Sequence, residues 1–202
     1  MHTPPNVRLE HISGAAVLDR VAEVARLHVG VFREFPYLYD RSAEYEERLL
    51  SIYFANCQAP LMLIAYDGDI AVGASTGRSL SNRLITDGVQ DLFNAHGYDP
   101  DQIFYLADSV LLPEYRGIGL GVKFFELREQ FARDMGYSIT GFCAVQRPED
   151  HPLRPKNYQP LDEFWQRRGY EPESRLQVEF SWKDIGDLQA SAKTMQYWPK
   201  AL

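Results

Sequence analysis

Arg116-Gly-Ile-Gly-Leu-Gly121 is the stretch of this chain whose residue types and spacing most plainly serve chemistry. Three glycines at alternate positions let the backbone approach a ligand with no Cβ in between. They lie between an apolar run, Phe104 to Leu112, closed by Pro113, and a segment in which Leu120, Phe124, Leu127 and Phe131 share one helical face. The first N–H groups of a helix have no partner within it, and the helix dipole is positive there. Strand, glycine-rich turn and helix start therefore predict a phosphate-binding loop. The pattern is GxGxG. It is not the dinucleotide GxGxxG, because position 122 is Val, and no Lys-Ser/Thr pair closes it as a Walker A loop.

Three further groups could take part in a reaction. Asp108 is a carboxylate inside the apolar run, which is unfavourable unless it has partners or a function. A structural hydrogen bond to a neighbouring loop and a role as base are both open. Phe35, Tyr37 and Tyr39 make an aromatic connector beside Asp40 and Glu44, and tyrosine faces with nearby carboxylates attract ammonium groups. Packing the connector down is the other reading. His28 falls on an apolar helical stripe and is predicted to be a satisfied core histidine.

The elements that must position these groups follow from periodicity. Val7 to Ile12 alternates as a short strand. A helix is expected over 16–34, with Val21, Val24, Ala25, His28, Val31 and Phe32 buried. A second, over 42–56, is expected to turn Tyr45, Leu49, Ile52 and Tyr53 inward and Glu44, Glu46, Glu47 and Arg48 to water. Leu61 to Tyr66 and Ile70 to Thr76 are the arms of a hairpin around Asp67-Gly68. Leu80 to Gly97 is expected to be helical, with Leu84, Val89, Leu92 and Phe93 inward. The helix after the glycine loop stops at Gly136, and Ile139 to Val145 is a buried strand. Gln146 to Pro160 is an interruption stiffened by four prolines. A short helix from Leu161 to Arg168, a strand from Leu176 to Lys183 and an antiparallel strand from Lys193 to Trp198 complete the chain.

The 202 residues suit one domain, 1–202, and 45% apolar with 24% charged residues is an ordinary globular balance. A net charge of −7 argues against nucleic acid as partner and is compatible with a cationic amine. Cys57 and Cys143 are too few for a disulfide framework or a four-ligand zinc site, so no metal is expected. With no apolar leader run and no membrane span, a cytoplasmic protein, monomer or homodimer, is expected.

The Arg116–Gly121 loop, preceded by Pro113-Glu-Tyr-Arg-Gly117, resembles the pyrophosphate loop of the GNAT superfamily of acyl-CoA-dependent N-acyltransferases. Its signature, Arg/Gln-x-x-Gly-x-Gly/Ala, matches Arg116, Gly119 and Gly121. Phe164-Trp-Gln-Arg-Arg-Gly-Tyr170 is similar to the family's late Phe-Tyr-x-x-x-Gly-Phe segment, and the order of elements matches from about Val7 to Trp198. The resemblance implies an α+β fold: a mixed sheet of six to seven strands with helices on both faces and a splayed parallel pair. The pair would be Phe104 to Leu112 and Ile139 to Val145. It implies that pantetheine enters the gap like an added strand, and that the backbone of Val110 and Leu111 polarises the thioester carbonyl. Pyrophosphate would lie on Arg116, Gly117, Ile118, Gly119, Leu120 and Gly121, with Trp165 beside the thiol end.

The implied reaction moves an acetyl group from acetyl-CoA to an amine, with Asp108 as base and Phe35, Tyr37 and Tyr39 lining the acceptor pocket. A small-molecule acceptor is favoured over a protein. The alternative is an acyl-CoA-binding module of the same fold without turnover. Many relatives use a tyrosine in the late segment to protonate the leaving thiolate. The position here is Trp165, whose indole N–H is no useful acid. Tyr158 is the expected substitute, with His151 and then Cys143 behind it, on a Gln146–Pro160 segment expected to fold over the mouth of the cleft. A surface loop with Tyr158 packed at a helix start, and protonation by water alone, are the other readings.

Overall fold

The computed structural model describes residues 7–81 and 89–202. A mixed sheet is built from β1 (Val7–Ser13), β2 (Leu61–Asp67), β3 (Ile70–Ser79), β4 (Ile103–Tyr105), β5 (Ser109–Leu111), β6 (Ile139–Val145), β7 (Gln177–Trp182) and β8 (Ser191–Ala201). Its order is β1-β2-β3-β4-β6-β8-β7, with β5 also paired to β3. Helices α1 (Val21–Phe32) and α2 (Ala43–Ala55) pack on one face through Val24, Leu50, Phe54, Met62 and Ile64. On the other face lie α4 (Leu120–Asp134) and α5 (Asp162–Gln166), over Phe104, Phe124, Phe125, Phe142 and Trp198. Helix α3 (Val89–Ala95) and Gly97, in the left-handed region at φ 81°, fall where the helical segment 80–97 was predicted. Leu84 lies outside the described residues.

The predicted strand from Phe104 to Leu112 is broken, and the break creates the gap. β4 has a neighbour on each side: β3, antiparallel, with Arg78 opposite Tyr105, and β6, parallel, from Ile103 opposite Ile139 to Tyr105 opposite Gly141. Leu106 N–H still reaches Gly141 O at 2.8 Å. Past Asp108, β5 follows only β3, from Ser75 opposite Ser109 to Gly73 opposite Leu111. β6 meanwhile runs on beside β8, from Phe142 opposite Trp198 to Val145 opposite Met195. The parallel pair therefore opens between β5 and the second half of β6.

Two helix faces differ from the sequence expectation. In α2 the buried residues are Glu46, Leu50 and Phe54, while Tyr45 and Ile52 are exposed. Glu46 turns inward because it meets His28 of α1, Nδ1 to Oε1 at 3.0 Å. In α4 the most buried residues are Phe124, Phe125, Arg128, Glu129 and Ala132, so the inward stripe is turned from the predicted one toward two charged positions. A charge can be on a buried face only where it finds partners. Glu129 does: Lys200 Nζ lies 2.8 Å from both its oxygens, and Tyr170 Oη donates to it at 3.0 Å.

Candidate active site

Past β5, Pro113–Tyr115 makes one tight turn and Arg116 is extended, at φ −80° and ψ 154°. Gly117 and Gly119 both take positive φ, 79° and 93°, and a Cβ at either would meet nothing within 4 Å. These glycines are required by backbone conformation, and the space outside them is open. Gly121 is favoured by packing, because its Cβ would lie 3.3 Å from the Phe164 ring, a tight contact. Lys123 N–H to Gly119 O, 3.1 Å, opens the α4 ladder. The N–H groups of Leu120, Gly121 and Val122 precede it and have no intrahelical partner. The turn is thus a concave row of N–H groups at the positive end of a 15-residue helix.

The backbone on the open side of β5 is likewise available. Thr76 N–H to Asp108 O (2.9 Å) and Leu112 N–H to Val72 O (3.0 Å) fix the phase of the antiparallel ladder. By its alternation the peptide groups of Val110 point at Ala74, while those of Ser109 and Leu111 point into the gap. Arg116 Nε confirms the direction by donating to Leu111 O at 3.0 Å. Val110, expected to present its backbone to the thioester, instead faces β3, and its side chain is buried under α1 and α2.

Loop, gap and aromatic connector open into one cleft of about 1450 Å³. It is lined by Leu111, Arg116, Gly117, Gly119 and Gly121, by Asp108 and Ser109, by Phe142, Cys143 and Trp165, and by Phe35, Tyr37 and Tyr158. Five predicted CoA-loop or strand residues, Trp165, Asp108, Tyr158 and two of the three connector aromatics thus share one cavity. Ile118 is largely exposed and Leu120 packs into the core under α4, so neither lines the cleft with its side chain. Tyr39 does not line it either. Its ring packs under the Arg41 guanidinium, 4.1 Å away, and edge-on to Trp182, and its hydroxyl reaches Glu46 at 3.4 Å.

The Arg116 side chain is also not directed at the loop. It forms a two-pronged ion pair with Glu34, at 2.9 and 3.1 Å, tying the loop to the residues that follow α1. Trp165 stands edge-on to Phe142 and Trp198, at 5.0 and 5.1 Å, as part of an aromatic wall.

Asp108 sits half-buried in the break between β4 and β5. Its Oδ2 accepts from Thr76 Oγ1 at 3.2 Å, so the structural partner that the sequence left open exists, and the carboxylate still lines the cleft. Burial and the Asp108 charge push the Tyr37 phenol far up, keeping it neutral. Burial pushes the Cys143 thiol up to about 12, so it is not a thiolate nucleophile near neutral pH. Burial and the Asp162 carboxylate raise Tyr158, against Arg154, so its proton is retained through the neutral range.

The proline-rich segment folds onto the cleft. The Tyr158 ring is 4.7 Å from Phe35, edge-on, and the His151 ring is 5.6 Å from Phe35, tilted. Sequence reasoning missed what holds this roof. Arg147 Nε donates to Pro36 O at 2.7 Å, Nη2 to Tyr37 O at 2.8 Å, and Nη1 and Nη2 to the two oxygens of Asp184 at 2.7 and 3.0 Å. Trp182 Nε1 adds a bond to Tyr37 O at 2.9 Å. Arginine offers five donors in a fixed fork, and here they lock the end of β6, the connector and the residues after β7 together. The partners are 37 and about 110 residues apart in sequence, so no local pattern signals them. Arg128 was also missed, although a charge on the apolar stripe of α4 was visible in the sequence.

The architecture is that of the GNAT fold. An acetyltransferase of the GNAT family from Desulfovibrio desulfuricans superposes with a TM-score of 0.57 at 13% identity, covering 96% of this chain and 98% of that one. An N-acetyltransferase, paia, from Thermoplasma acidophilum, solved in complex with coenzyme A, gives 0.56 at 11% identity over 98% of this chain and 99% of its own. A polyamine N-acetyltransferase of Drosophila melanogaster that forms N-acetylagmatine gives 0.56 at 12%, over 96% and 100%. No protein-family profile and no curated protein sequence matches the chain. Among the described residues no helix is long and apolar enough to cross a membrane, and no group of three His, Cys, Asp or Glu could hold a metal ion.

Proposed function

We propose that this protein is an N-acetyltransferase that moves an acetyl group from acetyl-CoA to a primary amine by direct attack. One observation carries the reading: the glycine turn and the open edge of β5 give onto the same cleft as the Asp108 carboxylate and the aromatic connector. The loop N–H groups fit a pyrophosphate. The outward peptide groups of Ser109 and the Leu111 N–H fit an extended amide chain, bound as an added strand, while the Leu111 carbonyl is taken by Arg116. The naming of fold neighbours as N-acetyltransferases, one solved with coenzyme A, supports the same chemistry.

In this reading the amine enters against Phe35 and Tyr37 and loses a proton to Asp108. Its nitrogen attacks the thioester carbon, the carbon–sulfur bond breaks, and the electron pair leaves on sulfur. Tyr158, half-buried at the roof and protonated at neutral pH, is the candidate donor to that sulfur. A roof closed by the Phe35–Tyr158 contact favours a small-molecule acceptor over a protein chain. The test is to incubate the protein with acetyl-CoA and a panel of amines, following free thiol and acetylated product by mass spectrometry. Matched release of thiol and product supports the reading. Binding of CoA with no product from any amine would favour a module that holds acyl-CoA without turnover.

A further inference from the structure

Arg128 is a buried cation with no ion-pair partner within 4 Å among the described residues, although the Asp108 and Glu129 charges act on it from further away. It lies on the buried face of α4, 1% exposed, and lines the cleft. Its Nε donates to Phe124 O at 3.2 Å, and Nη1 to Thr76 O and Asp108 O at 3.2 and 3.3 Å. Nη2 makes no hydrogen bond to any described residue, and none of the described carboxylates pairs with the group. The neighbouring Glu129 is held by Lys200 and Tyr170, and the Asp108 carboxylate by the Thr76 hydroxyl.

The two carbonyls on Nη1 do not need it. Asp108 O already accepts from Thr76 N–H at 2.9 Å and Ser75 Oγ at 3.0 Å, and Thr76 O from Ala107 N–H at 3.1 Å. A guanidinium taken out of water without a carboxylate is strongly unfavourable unless an anion joins it. Burial pulls Arg128 down to about 10, and it remains charged at neutral pH.

The geometry points to Arg128 as the anion-stabilising residue at the inner end of the cleft, with Nη2 facing the coenzyme A sulfur and holding the thiolate that leaves. The assignment rests on the cleft being an acyl-CoA site. It touches the backbone where β4 ends and the gap begins, one residue before the peptide groups that face an added strand. It answers the lack of an acid at Trp165. When the carbon–nitrogen bond forms and the carbon–sulfur bond breaks, the electron pair stays on sulfur beside a fixed positive charge. The amine proton passes to Asp108 and then to solvent, and the thiolate held by Arg128 is protonated afterwards by Tyr158, which regains its proton from water. The titratable groups that act on Arg128 are Tyr170, Asp108 and Glu129, all of which favour its charge, and the Cys143 thiol on the same cleft is neutral.

The experiment compares coenzyme A with desulfo-coenzyme A, in which hydrogen replaces the thiol, by calorimetry from pH 7 to 9. Both are titrated into the wild type, Arg128→Lys and Arg128→Met. The wild type should bind coenzyme A at least tenfold tighter than the desulfo compound at the upper end of the range. The ratio should grow with pH as the bound thiol ionises, with thiolate absorbance appearing at lower pH than for free coenzyme A. Arg128→Lys should keep part of the preference. Arg128→Met should bring the ratio to one while leaving desulfo-coenzyme A affinity unchanged, which also shows that the variant is folded. A wild type that binds both alike, or a methionine variant that keeps the preference, overturns the assignment to Arg128 alone. If neither compound binds the wild type, the acyl-CoA reading of the cleft falls and this assignment with it.

Discussion

The two walls of the cleft are built by different means. On one side the working surface is backbone: N–H groups of the 117–122 turn and the open edge of β5, shaped by Gly117 and Gly119 at positive φ. On the other it is side chains: Asp108, which Thr76 holds, and Phe35, Tyr37 and Tyr158, whose connector and roof the Arg147–Asp184 lock holds. A backbone wall recognises what is common to every ligand with a pyrophosphate and an extended amide arm. A side-chain wall can be changed residue by residue, and under the proposed function the choice of acceptor lies there.

The first way to break the comparison is Asp108→Asn. Loss of a positioned base lowers turnover by about 10²- to 10⁴-fold. Steady-state kinetics with a calorimetric titration of CoA should show that loss with affinity unchanged. A parallel loss of affinity would mean that the two walls are not separable.

Next in size is Arg147→Met. It leaves Asp184 in the interior with Lys193, 3.3 Å away, as its remaining cation. Breaking a buried pair from one side costs about 3 kcal/mol or more. Urea unfolding measures this cost, and the Michaelis constant for the amine should rise while CoA affinity holds.

Gly119→Val acts on the backbone wall. A branched residue at φ 93° adds strain of about 1–2 kcal/mol. It should weaken CoA by roughly tenfold or more, since tenfold corresponds to about 1.4 kcal/mol. An unaltered Michaelis constant for the amine, measured at saturating acetyl-CoA, would sharpen the division between the walls.

The smallest effect concerns His28, which supports α1 and α2 behind the side-chain wall. Burial opposes its charge, but the Asp108 field and the bonded Glu46 carboxylate outweigh it, so its pKa is raised in the folded state. The stability that this contributes is fully present below about pH 6.5, the unfolded value, and is lost as pH rises through the folded one. The gap in unfolding free energy between wild type and His28→Asn should therefore narrow from pH 6 to 9. A constant gap would contradict the charged pair.

The difference between the walls also explains what the sequence reveals. Glycines at positive φ, a strand that stops at Pro113 and a helix face are local requirements, so the loop and the order of elements could be read directly. The break at Leu106–Asp108 could not, because the apolar pattern continues through it and only the change of neighbour from β6 to none reveals it. The burial of Glu46 depends on His28, 18 residues earlier, and the roof depends on Arg147 meeting Pro36 and Asp184. Tyr39 shares its local chemistry with Tyr37, yet packing turns it to Arg41 and Glu46 rather than to the cleft. Arg128 was written on the α4 stripe, but its lack of a carboxylate is a property of the packed interior.

Residue-resolved amide hydrogen exchange with and without coenzyme A tests the central claim most directly. The account predicts slowed exchange at Ser109 and Leu111, on the open edge of β5, and at residues 117 to 122, with Val110 unchanged because its N–H already faces Ala74. Protection that spares Ser109 and Leu111, or that falls outside the cleft, would contradict it.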